Sequence, residues 1–146
     1  VLKLDGRPFT QGRSRYFDRL QIRLEPTAKV YVRILFGGLD RFVTAQLDTG
    51  AAWSVLGSEI AEELGLFAAS GEVTRLKTSL GIKQGTLLRV PLKILADQGE
   101  SLDINGTFFV SPDWPEGLTF LGYSGLLDSI RFALDPQVND FYFGPC

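Results

Sequence analysis

The chain has 146 residues, 45 % apolar and 22 % charged, which is the size and composition of one domain built on one core. Its net charge of −2, with no dense Lys/Arg run, leaves no electrostatic footprint for nucleic acid or an anionic membrane surface, and no apolar run reaches the length of a spanning helix. With no His, the serine-triad, cysteine–histidine and His-ligated zinc chemistries lose their usual base or ligand, so any acid–base work falls to carboxylates.

Sixteen Gly and seven Pro spread along the chain predict many turns and short strands, hence a mainly β fold. Residues 1–29, broken by Gly6, Pro8, Gly12 and Pro26, read as an N-terminal extension in which only 16–24 alternates as a strand; residues 30–146 read as the domain proper. Within the extension, the basic stretch 13–23 is interrupted by Asp18 and reads as a solvated strand face. Residues 30–36 form a β-rich run, Gly37-Gly38-Leu39-Asp40 is turn chemistry, and 41–47 resumes as a strand, making a hairpin that runs straight into Asp48.

An apolar segment, 53–56, follows, with Trp53 expected in the core. Ser58 then reads as the N-cap of a short helix, with Glu59 and Glu62 near its start, Ile60 and Leu64 on one face and Gly65 as its stop. Residues 73–78 and 82–94 predict a long hairpin with an exposed tip at Ser79-Leu80-Gly81. Asp97-Gln98-Gly99 turns the chain into a returning strand, 102–110, with a bulge expected at Asn105-Gly106. Pro112 and Pro115 frame a loop before 118–122, a helical turn follows at 124–127, and strands 130–134 and 141–143 close the chain. No repeat or low-complexity linker divides it.

One Cys, at 146, cannot make an internal disulfide; a reducing compartment such as the cytoplasm fits, and localisation stays open. The start at Val1 and the absence of Met are what an excised piece would show, with any targeting or anchoring segment outside it.

The run Leu47-Asp48-Thr49-Gly50-Ala51 at a strand end resembles the active-site loop of retropepsins, the single-domain aspartic proteases of retroviruses and their cellular and bacterial relatives. The surrounding order matches the same pattern: a hairpin feeding the Asp, the apolar segment 53–56, a flap hairpin at 73–88, the apolar-apolar-Gly element Phe120-Leu121-Gly122, and a helix-like turn at 125–128. The resemblance spans about residues 30 to 143 and leaves the first 29 unmatched.

What the resemblance implies is a retropepsin-like closed β-barrel or sandwich with a flap hairpin and one or two short helices, pairing as a C2 homodimer. Asp48, with Thr49 and Gly50, would form the catalytic loop. The chain holds one Asp-Ser/Thr-Gly, so a second carboxylate must come from a partner copy; two such groups in contact share one proton. The ionised member would activate a water and the protonated one polarise the scissile carbonyl, giving amide hydrolysis without a covalent intermediate.

By the same resemblance, Thr49 would bond across the interface. Ala51, Ala52 and the tip residues Thr78, Ser79, Leu80, Gly81 and Ile82 would contact an extended peptide or protein substrate, bound as an added strand with hydrophobic residues around the cut bond. Phe120, Leu121 and Gly122 would support the loop from behind. No metal and no cofactor is implied.

Retroviral enzymes commonly carry an Asp after the Asp-Thr-Gly-Ala run and an Arg after the apolar-apolar-Gly run. Here those places hold Ala52 and Tyr123, which points to a cellular or bacterial kind of member. It also leaves open a second reading, a catalytically silent module of the same fold that dimerises or binds peptides.

Overall fold

The computed structural model describes residues 1–18, 29–79 and 81–146. Strands β1 (Lys3–Leu4) and β2 (Arg7–Pro8) form a small antiparallel hairpin, and β3 (Gly12–Arg15) follows. The strand expected at 16–24 is not seen in its described part: Tyr16 is buried, Phe17 makes a single bridge to Tyr31, and 19–24 lie outside the described residues. Strand β3, just before it, carries no local periodicity, because its partners are remote in sequence.

The run Val30–Phe36 forms β4 as expected, and its alternation puts Val32, Ile34 and Phe36 in the core with no exposed surface. Strand β5 (Val43–Leu47) starts two residues later than expected, since Arg41 is exposed and pairs with Glu63 at 2.8 Å. β4 and β5 pair antiparallel from Val30↔Leu47 to Ile34↔Val43, so the hairpin delivers the chain to residue 48 in a fixed register.

Beyond β6 (Ser54–Val55), helix α1 (Ser58–Glu63) buries Ile60 and Ala61. Its N-cap is Gly57 and not Ser58; no side chain caps it. The Gly57 carbonyl accepts the first helical bonds while its N–H donates to the Thr119 hydroxyl at 3.0 Å. Gly65, with φ 68°, ends the helical stretch, and a 3-10 turn, Leu66–Ala68, follows.

Strands β7 (Glu72–Thr78) and β8 (Gly81–Ile94) make the long hairpin. After β9 (Gln98–Gly99), strand β10 (Leu102–Val110) pairs with β8 in one unbroken register, from Leu102↔Ile94 to Val110↔Thr86. The bulge expected at Asn105-Gly106 is therefore absent. Gly106 serves packing: a Cβ there would lie 2.9 Å from both Leu126 Cδ1 and Phe108 Cε2. Strand β11 (Phe120–Leu121), a 3-10 turn at Leu127–Ser129, β12 (Ile130–Asp135) and β13 (Asp140–Pro145) complete the chain. The turn falls a few residues after the expected 124–127.

These strands form a seven-stranded sheet ordered β10-β6-β11-β5-β4-β8-β7, with β10 also paired to β8, and a four-stranded sheet ordered β12-β13-β3-β9. Among the described residues the fold is mainly β with one α-helix. One large core joins the sheets: Phe36 packs edge-on to Phe108 at 5.5 Å between ring centres, and Phe141 meets Phe143 at 5.4 Å. Among the described residues no helix is long and apolar enough to cross a membrane.

Asp97 links the two sheets. Its carboxylate accepts a bond from the Arg15 N–H at 2.9 Å and pairs with the Arg33 guanidinium. Burial pushes its carboxyl up, but the Arg15 N–H and the Arg33 guanidinium together outweigh this and hold it below its ordinary 3.8. A depressed folded-state value contributes stability above 3.8 that is lost as pH falls through the folded value. The parent should therefore exceed Asp97→Asn in urea midpoint at neutral pH, with the gap closing in acid. A gap that stays constant down to about pH 2 would contradict this role.

Candidate active site

Asp48 sits where β5 ends, half-buried, in a tight turn held by the backbone on both sides. Its N–H donates to the Leu121 carbonyl at 2.9 Å, the Ala51 N–H donates to the Asp48 carbonyl at 3.2 Å, and the Gly50 N–H donates to the carboxylate Oδ1 at 3.0 Å. The carboxylate is thus oriented by the loop that carries it.

The loop is braced from behind by β11. Phe120 and Leu121 pair parallel with Gln46 and Leu47 of β5, and Phe120 pairs antiparallel with Val55 of β6. Two residues thereby join the strand that enters the Asp48 loop to the strand that leaves it. Past β11 the contacts continue: the Gly122 N–H donates to Ser54 Oγ at 2.8 Å, the Tyr123 N–H to the Ala51 carbonyl at 2.8 Å, and the Ser124 N–H to the Ala52 carbonyl at 2.9 Å. Gly122 passes so close to Trp53 that a Cβ would lie 2.4 Å from its carbonyl carbon and oxygen.

In front of the loop opens a cleft of about 580 Å³. Asp48, Gly50, Ala51 and Ala52 form one side, Thr78 and Ser79 come from the tip of the β7–β8 hairpin, and Trp53, Leu76, Trp114, Leu118 and Phe120 give it an apolar wall. That wall rests on a second apolar cluster of Val55, Phe109 and Trp114, with Leu76, Leu87 and Phe120 packed against it. The Trp114 ring stands edge-on to Phe120 at 5.9 Å, and its indole N–H donates to the Leu118 carbonyl at 2.6 Å. Lys29 and Lys77 add positive charge at the margin.

Seven residues expected from the sequence therefore meet in one place: Asp48, Gly50, Ala51, Ala52, Thr78, Ser79 and Phe120. Others stand apart. Thr49 is exposed and does not line the cleft; Leu121 is fully buried behind the loop; Gly122 lies against the Trp53 backbone. Gly81 and Ile82 do not line the cleft, Ile82 being 68 % exposed, and Leu80 lies outside the described residues. The Thr78 hydroxyl donates to the Gly81 carbonyl at 3.0 Å and closes the tip.

Trp53, expected in the core, is instead half-buried on the cleft wall. Sequence reading missed Trp114 and Leu118, which sit in a loop without periodicity, and Leu76, whose place in an alternating strand was a usable signal. Among the described residues no group of three His, Cys, Asp or Glu side chains is placed to hold a metal ion.

Among solved structures, the chain is similar to a retropepsin-like aspartic protease from Rickettsia conorii, over 90 % of this chain and 98 % of that one, at 17 % identity and a TM-score of 0.57. The fold is retropepsin-like. Simian Foamy Virus (mac) protease aligns over 65 % of this chain and 89 % of its own, at 20 % identity and a TM-score of 0.40. No protein-family profile and no curated protein matches the sequence. The retropepsin-like fold is thus reached with few shared side chains, and the geometry around Asp48 stands on this chain's own contacts.

Proposed function

We propose that the chain is an aspartic endopeptidase working as a C2 homodimer, with Asp48 of each copy as the catalytic carboxylate. The observation that carries this reading is the placement of Asp48: a strand delivers it, Leu121 fixes its backbone from behind, and it opens on an apolar cleft beneath a long hairpin.

Among the described residues Asp48 is the one acid lining that cleft, so the second carboxylate comes from the partner copy. Two carboxylates in contact share a proton. The ionised one takes a proton from water as that water attacks the scissile carbonyl; the protonated one donates to the carbonyl oxygen. The exposed Thr49 is free to bond across the two-fold axis, and Gly50 and Ala51 leave room beside the carboxylates. The β7–β8 hairpin acts as the flap, and an extended peptide lies between it and the catalytic loops with its apolar side chains on Trp53, Trp114 and Phe120. A closed barrel is supported by the circuit of pairings that leads from β10 through β6, β11, β5, β4 and β8 back to β10.

The test is digestion of a peptide library from mildly acidic to neutral pH at several protein concentrations. Cleavage next to hydrophobic residues is expected, with specific activity falling on dilution as the dimer separates. A pepstatin-like inhibitor that binds while no peptide is cut at any pH would overturn the enzyme and leave the silent peptide-binding module.

A further inference from the structure

We propose that the cleft selects peptides carrying acidic side chains on either side of a hydrophobic cut site, through Lys29, Lys77 and Lys83; this rests on reading the cleft as a peptide site. The chain as a whole is acidic, at −2, yet the hairpin over the cleft is basic: residues 72–84 carry Arg75, Lys77 and Lys83 against Glu72 alone. Lys29 and Lys77 border the cleft directly. Strand pairing adds the third. Lys83 does not itself line the cleft, but it is the cross-strand partner of Leu76, which does, and cross-strand partners share a face; Lys77, one residue on from Leu76, belongs to the other face and borders the cleft from the edge strand β7.

None of the three lysines has a carboxylate partner among the described residues. Lys83 is half-buried as a residue, its stem covered by the hairpin, and its ammonium has no ion pair there. A carboxylate on a bound peptide supplies the missing partner. Lysine stems lie along apolar surface and carry their charge outward, so the acidic positions flank the cut bond while Trp53, Trp114 and Phe120 receive apolar side chains at its centre. Low-dielectric walls concentrate the field of these charges at the cleft mouth, which favours capture of acidic peptides.

Two peptides decide the matter, identical and hydrophobic at the cut bond, one with Glu and the other with Gln on both flanks. At low salt the parent should give a kcat/KM about tenfold higher for the Glu peptide, the combined effect of several exposed ion pairs. That ratio should fall toward one in high salt, and below about pH 4, where the Glu side chains protonate. The triple variant Lys29→Gln, Lys77→Gln, Lys83→Gln should bring the ratio near one at low salt, and the corresponding triple Arg variant should keep it.

Equal kcat/KM for the two peptides in the parent at low salt overturns the inference while leaving the protease reading intact. If neither peptide is cut, the protease reading falls and binding still decides this one. The chain's two Trp, 53 and 114, both line the cleft, so Trp fluorescence reports binding without turnover. A Glu peptide that binds no tighter than its Gln counterpart in that titration overturns the inference.

Discussion

Asp48→Asn should lower kcat/KM by about four orders of magnitude while leaving the urea midpoint and the sedimentation behaviour close to the parent's. The loop tolerates the change because the Gly50 N–H donates to Oδ1 of residue 48, and an Asn carbonyl oxygen accepts the same bond in the same place. The chemistry does not tolerate it, since an amide neither holds a transferable proton nor serves as a base near neutral pH. In a symmetric dimer one substitution removes both carboxylates. An equimolar mixture of parent and variant, exchanged to equilibrium, should then hold only about a quarter of its dimers with two Asp, and lose more activity than simple dilution of the parent. A variant that cuts the library at the parent's rate would sink the assignment; activity that only halves in the mixture would argue that each copy works alone.

Local periodicity explains which parts of the fold were legible. Strands β4 and β10 match the expected 30–36 and 102–110, because alternating β-branched and aromatic residues on one sheet face can be read without knowing the partner strand. The β7–β8 hairpin was legible for the same reason. Strands β3 and β9 were not: four residues and two residues carry no period, and their pairing depends on β13 and on each other across more than eighty positions. The helix cap slipped from Ser58 to Gly57 because the group that satisfies the Gly57 N–H is Thr119, sixty-two residues away. Within the site, Asp48 announced itself with Thr49 and Gly50 as a tripeptide, whereas Phe120-Leu121 is too short to be read as a strand and was placed by resemblance. The wall residues Trp114, between two prolines, and Leu118, just after them, carry no sequence signal, since such a loop reaches the cleft only through tertiary packing.

Gly122→Ala should lower stability by about 3 kcal/mol and the thermal midpoint by about 10 °C. The added methyl would lie 2.4 Å from the carbonyl carbon and oxygen of Trp53 and 2.7 Å from the Ser54 nitrogen. All three are backbone atoms, so no side-chain rotation relieves the contact; the chain on one side of the loop must move by about 1 Å. A displacement of that size at a reacting group costs about a hundredfold in rate, so kcat/KM per folded molecule should fall too. Ser54→Ala separates the two effects, because it removes the acceptor for the buried Gly122 N–H while adding no atom at the close approach. It should cost about 1–3 kcal/mol with a smaller loss of kcat/KM. If Gly122→Ala instead melted within 2 °C of the parent, the backbone at 53 and 122 could not approach as closely as this structure places them, and the brace behind Asp48 would be a looser one.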